Sequence, residues 1–128
     1  KSGVDVRIIT THHLSGWWVH AVSRSYYRTL VENGVKIYEY LPGFIHSKTV
    51  VADGKYGVVG TINLDYRSFY LHFECGVWLY NNSSIQDIIK DFQETLEVSR
   101  EVTLEDVRNI HWSRTMVMSA LRLFAPLM

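Results

Sequence analysis

His46-Ser47-Lys48 sets an imidazole and an ammonium two residues apart. On an extended backbone alternate side chains share a face, so both groups enter the same space. An imidazole can attack phosphorus or carry a proton, and a fixed ammonium can hold phosphoryl oxygens. The pair suits a phosphate ester. Three residues carry little information alone, so their weight depends on what the chain brings back beside them.

A hairpin supplies that return. Apolar runs at residues 49–52 and 56–59 flank Asp53-Gly54-Lys55, a strong turn signal. Such a turn pairs residues whose numbers sum to roughly 107 to 109, so residue 48 faces about 59 to 61 and residue 46 about 61 to 63. Those positions hold Gly60, Thr61 and Asn63. Lys48, Thr61 and Asn63 become candidates for binding substrate phosphate, each with hydrogen-bond donors. Gly60 is expected to let the backbone approach a ligand. Glu74, on the following strand, is the expected partner of the His46 ring, where a carboxylate would fix the tautomer and support an imidazolium. Asp53 lies seven residues beyond His46. That is ~20 Å along a strand, which favours a place in the turn over direct chemistry.

The rest of the chain must carry this hairpin. Residues 4–10 read as a strand and 17–33 as a helix, with Trp18, Val22, Tyr26 and Leu30 forming an apolar stripe. Asn33-Gly34 stops the helix, and residues 35–41 form a second strand ended by Pro42-Gly43. A strand-helix-strand order favours parallel pairing with a right-handed crossover. Residues 73–80 read as a further strand. Ser84-Ile85-Gln86-Asp87 reads as a capping box opening a helix that runs to about residue 99. Thr103-Leu104-Glu105-Asp106 opens a last, amphipathic helical segment, 103–128. The expected class is α/β, a mixed β-sheet flanked by helices.

The whole chain, 128 residues with 47% apolar and 20% charged, is expected to be one globular domain. Thirteen basic residues balance thirteen acidic ones, so no basic field announces a nucleic-acid partner, and none is expected. The single cysteine, Cys75, excludes an internal disulfide, and its alternation with Glu74 points it toward a core. Adjacent His12 and His13 cannot readily share a face, and with His20 they lack a Cys or carboxylate cluster, so neither a metal nor another cofactor is expected. Asp65 and Arg67 either brace the loop after Asn63 as a pair or shape an acceptor pocket. Residues 109–128 combine Trp112, Met116, Val117, Leu121, Phe124 and Leu127 with basic His111, Arg114 and Arg122. They fit either a membrane interface or a helix docked on the domain. No apolar run reaches about 18 residues, so the segment itself is expected to be soluble. It opens on Lys1 without a signal-peptide pattern and is expected to be a fragment of a longer chain.

The spacing His46-x-Lys48, Asp53, Gly60-Thr61 and Asn63 resembles the signature of the phospholipase D superfamily. Longer runs are similar to bacterial cardiolipin synthases: residues 41–48, 60–69, Phe73-Glu74, and the closing Arg122-Leu123-Phe124-Ala125-Pro126-Leu127. His72 departs from the Asn that family would place before Phe73-Glu74. The resemblance implies that residues 1–128 are the C-terminal catalytic half-domain of a two-motif enzyme, since this chain has one His-x-Lys motif. It implies metal-independent phosphatidyl transfer between two phosphatidylglycerol molecules, through a phosphohistidine, with release of glycerol. It makes His46, Lys48, Asp53 and Glu74 the catalytic candidates. The usual order in two-motif relatives gives the nucleophile to the N-terminal motif and leaves His46 as general acid and then base. The implied partners are phosphatidylglycerol, a membrane surface and the upstream half, with a homodimer of the fragment as the substitute for that half. The parent would sit at a bacterial cell membrane. The rivals are a homodimeric endonuclease or phosphodiesterase of the same superfamily, which would need a basic groove, and a non-enzymatic lipid-binding module.

Overall fold

Strands separated by a helix can pair in parallel, whereas strands joined by a tight turn of two or three residues run antiparallel. The chain uses both. The computed structural model describes residues 3–12, 17–109 and 112–122. In chain order its elements are β1 (Arg7–Thr11), α1 (Trp17–Glu32), β2 (Lys36–Tyr40), β3 (Lys48–Ala52), β4 (Tyr56–Gly60), a π-helical turn (Arg67–Leu71), β5 (Gly76–Tyr80), α2 (Ser84–Glu97), β6 (Ser99–Glu101), α3 (Leu104–Arg108) and α4 (Trp112–Arg122). The α/β class stands, with strands shared between two three-stranded sheets, β1-β2-β6 and β3-β4-β5. Two compact units result, with the chain passing from one to the other between Ile45 and His46 and returning between Glu97 and Val98.

The first unit is the strand-helix-strand piece. β1 and β2 pair in parallel, with Arg7 opposite Lys36 and Thr11 opposite Tyr40. α1 ends where expected. Gly34, at φ 88°, donates to Val31 O at 3.0 Å, and Val35 donates to Leu30 O at 3.0 Å, a Schellman stop. Tyr27, Ile37, Val102 and Val107 form the core, with Leu30, Val31 and Val35 against it. β6 is a strand that apolar alternation does not reveal; it pairs antiparallel with β2 and makes this sheet mixed. It also shortens the preceding helix, which ends at Glu97 rather than near residue 99. The capping box belongs to α3, where Thr103 and Asp106 bond each other's backbone N–H. α4 packs against α1, as the docked-helix alternative expects, while Met116 and Val117 stay exposed. Residues 110–111 and 123–128 of that segment lie outside the described residues.

One charged side chain sits inside this unit. Glu39 alternates with Ile37 on β2, and both are 1% exposed. Its Oε1 accepts from Arg24 Nη2 at 2.7 Å and Nε at 3.0 Å, and its Oε2 meets His12 Nδ1 at 2.7 Å and Arg100 Nη2 at 3.4 Å. Burial alone would raise the Glu39 carboxyl, but His12 and Arg24 outweigh it and hold the group below the usual carboxylate range. His12 is thus paired with a carboxylate, and His13 lies outside the described residues.

The second unit is the hairpin plus one strand and one helix. Asp53 and Gly54 both have positive φ, 53° and 64°, as a type I′ turn requires, and Lys55 N–H closes it on Ala52 O at 3.1 Å. The register pairs Lys48 with Gly60, inside the expected window. β4 then pairs with β5, Gly60 opposite Gly76. Ile85 of α2 is fully buried, and a side chain at Gly57 would touch it, so α2 covers the face holding Gly57. Lys48 and Gly60 lie on the other face, with Val50, Tyr56, Val58, Trp78 and Tyr80. α2 starts differently from expectation: Asn82 Oδ1, not Ser84, takes a backbone N–H, that of Ser84, at 2.8 Å.

Candidate active site

The hairpin register delivers the candidates to one place. His46 lies just before β3, Lys48 opens β3, Gly60 closes β4, and Thr61 and Asn63 follow it. These five residues line an open cavity of about 170 Å³. Lys48 Nζ donates to the His46 carbonyl at 2.8 Å, which anchors the ammonium beside the imidazole's own backbone. An ammonium has three N–H donors, so two remain for phosphoryl oxygens.

Gly60 lines the cavity, as expected of a position where backbone approaches a ligand, and has a second reason besides. A Cβ there would run into the Cys75 carbonyl and come within 2.7 Å of Gly76 Cα. Glycine at this position lets β4 and β5 approach, and that approach seats Thr61 against Cys75. Thr61 N–H donates to Cys75 O at 2.9 Å, and Cys75 N–H donates to Thr61 Oγ1 at 3.1 Å. Cys75 itself is exposed, not turned to a core, because it precedes β5 and strand alternation does not govern it.

Glu74 sits beside Thr61. Its Oε2 accepts the Thr61 hydroxyl, and its Oε1 lies 3.6 Å from His72 Nδ1. The Thr61 hydroxyl is the main reason its carboxyl lies below the usual carboxylate range, with Ser68 and His72 adding to that against partial desolvation. The expected pairing of Glu74 with the His46 ring gives way to pairing with Thr61 and His72. The reason is register: opposing Gly60 to Gly76 carries on to Thr61 against Cys75, and Glu74 is the next residue along. Behind His72, Arg67 Nε donates to His72 Nε2. Asp65 and Arg67 do not pair with each other; Asp65 Oδ1 accepts the Ser68 N–H at 2.6 Å, so each braces the loop separately.

Asp53 is not at the cavity. It occupies the turn, at the opposite end of β3 from Lys48, and is exposed. The sequence-based candidates therefore divide. His46, Lys48, Thr61 and Asn63 share the cavity, Glu74 reaches it through Thr61, and Asp53 shapes the turn. Sequence reasoning missed the roles of Arg67, Ser68 and His72 around Glu74. The signal available for His72 was its departure from the expected Asn two residues before that carboxylate.

Comparison with known proteins bears on this geometry. A family model described as "Cardiolipin synthase, PLD-like domain" matches residues 1–96. The chain is 44% identical over 128 residues to an uncharacterized protein of Streptococcus mutans. It is 40% identical over 127 residues to a cardiolipin synthase of Halalkalibacterium halodurans and to cardiolipin synthase 2 of Bacillus anthracis. The alignments cover 99–100% of this chain but only 25–28% of those relatives, so the chain spans about a quarter of their length. No solved structure matches.

Proposed function

The chain belongs to the phospholipase D-like domain family of cardiolipin synthases, and from that premise we propose that it is one half of a phosphatidyltransferase active site. The substrate is phosphatidylglycerol and the product cardiolipin. In the first step a nucleophilic imidazole from the upstream motif attacks phosphorus. The phosphate–glycerol bond breaks as His46 protonates the departing glycerol oxygen, leaving a phosphohistidine. In the second step a hydroxyl of another phosphatidylglycerol bonds phosphorus, the phosphorus–nitrogen bond breaks, and His46 takes the hydroxyl proton. Lys48 and Asn63 hold the phosphoryl oxygens while charge builds on them. No metal takes part in this scheme.

The observation that carries the reading is the shared cavity of His46, Lys48 and Asn63, produced by a hairpin register that the family signature anticipates. Exposure supports the role of an upstream half. Trp78 is 65% and Tyr80 63% exposed on the sheet face that bears Lys48. A partner carrying the second motif would cover that face. No helix among the described residues is long and apolar enough to cross a membrane.

The test is product analysis with the parent chain on phosphatidylglycerol vesicles, with and without a chelator. Cardiolipin and glycerol form equally in both. Loss of product in chelator, or cleavage of DNA with no lipid product, overturns the reading.

A further inference from the structure

We infer that Thr61 accepts a hydrogen bond from the second hydroxyl of a vicinal-diol substrate, and so reads the alcohol rather than the phosphate. The inference rests on the transferase reading above and names a specificity-determining residue within that site.

A threonine hydroxyl offers one donor and two acceptor lone pairs. The Thr61 proton has two partners in the structure, Glu74 Oε2 and, at 3.4 Å, Cys75 O. Either partner is a protein oxygen, so no proton remains for a ligand. One lone pair takes the Cys75 N–H at 3.1 Å. What Thr61 has left for the cavity is a single lone pair. A phosphoryl oxygen is itself an acceptor and gains nothing from it, whereas a hydroxyl can donate to it. Glu74 is fixed in this arrangement from behind, by His72 Nδ1 at 3.6 Å and by Arg67 on the far ring nitrogen.

The reacting hydroxyl does not fill this place. It has one proton, and His46 takes that proton as the new bond to phosphorus forms. The donor to Thr61 is therefore a neighbouring hydroxyl on the same alcohol, as a glycerol headgroup provides. Thr61 in this way favours an alcohol with a second hydroxyl beside the reacting one, without adding to the affinity for phosphate.

The experiment is a competition, whose product ratio does not depend on how much enzyme is folded. The parent chain acts on phosphatidylglycerol vesicles in equimolar propane-1,2-diol and propan-1-ol, and the two phosphatidyl alcohols are quantified. Wild type favours the diol about three- to tenfold, the worth of one hydrogen bond. Thr61→Val brings the ratio close to one, and Thr61→Ser keeps it. Direction is tested on wild type alone with 2-methoxypropan-1-ol, an ether that accepts hydrogen bonds but donates none at that oxygen; it loses the preference. An unchanged ratio in Thr61→Val, or an ether used as well as the diol, overturns the inference while leaving the transferase reading intact. Cardiolipin formed without any phosphatidyl alcohol likewise overturns the inference alone, whereas absence of cardiolipin and of every phosphatidyl alcohol from wild type overturns the transferase reading itself.

Discussion

Lys48 Nζ is held at 2.8 Å by the carbonyl of His46, so the cation and the imidazole are placed by the same short stretch of backbone. On the proposed mechanism, removing either group acts on chemistry, and it spares the fold because His46 is exposed and Lys48 only half-buried. His46→Ala and Lys48→Ala in the parent chain therefore abolish turnover with melting temperatures near wild type, checked by lipid product analysis beside thermal unfolding. Asp53 behaves in the opposite way. Its positive φ, 53°, is one that alanine adopts poorly. Asp53→Ala costs about 1 kcal/mol and lowers activity through stability, while Asp53→Gly is tolerated. An Asp53→Ala variant that is inactive yet as thermally stable as wild type would contradict the structural role. The residue identities at the cavity were legible because His46, Lys48, Thr61 and Asn63 depend only on one turn and its register. The partner of Glu74 was not. It depends on how β4 opposes β5 across a long connection, residues 61–75, for which the sequence offers no turn arithmetic.

At the scale of elements, the close approach of β4 to β5 is what seats Thr61. Gly60→Ala would push a methyl into the Cys75 carbonyl and Gly76, at a cost of about 1–3 kcal/mol. Chemical denaturation reads that cost, and activity falls with it as Thr61 shifts. The β2 strand carries a second test. Glu39 is buried, yet Arg24 and His12 keep side-chain exposures of 35% and 30%, so water screens part of the lost pairing. Glu39→Gln then destabilises by about 2–4 kcal/mol, at or below the range for breaking a fully buried pair. Its pH dependence has a definite sign. The folded carboxyl titrates below its unfolded value of about 4.3, so its contribution is complete above that pH and is lost as pH falls through the lowered value. Acid unfolding of Glu39→Gln is correspondingly shallower than that of wild type. Alternation could have flagged Glu39, since it shares a face with Ile37. β6 had no such signal, because Ser99-Arg100-Glu101 contains no apolar residue and is held by backbone pairing with β2 and by Arg100 on Glu39.

For the molecule as a whole, the decisive fact is that the chain is about a quarter as long as its relatives and brings one His-x-Lys motif. Displacement at phosphorus needs a nucleophile on one side and an acid on the other. One imidazole cannot stand on both sides. The exposed Val50, Trp78 and Tyr80 on the Lys48 face are consistent with a surface that another part of the parent covers. The most direct measurement of this half-site account is phosphatidyl transfer by three samples: this chain alone, the separately expressed upstream part of the parent, and their mixture. The account predicts transfer only from the mixture, lost when His46 is changed to alanine. Robust transfer by this chain alone, abolished by His46→Ala, would contradict it and point instead to a homodimer that supplies both imidazoles.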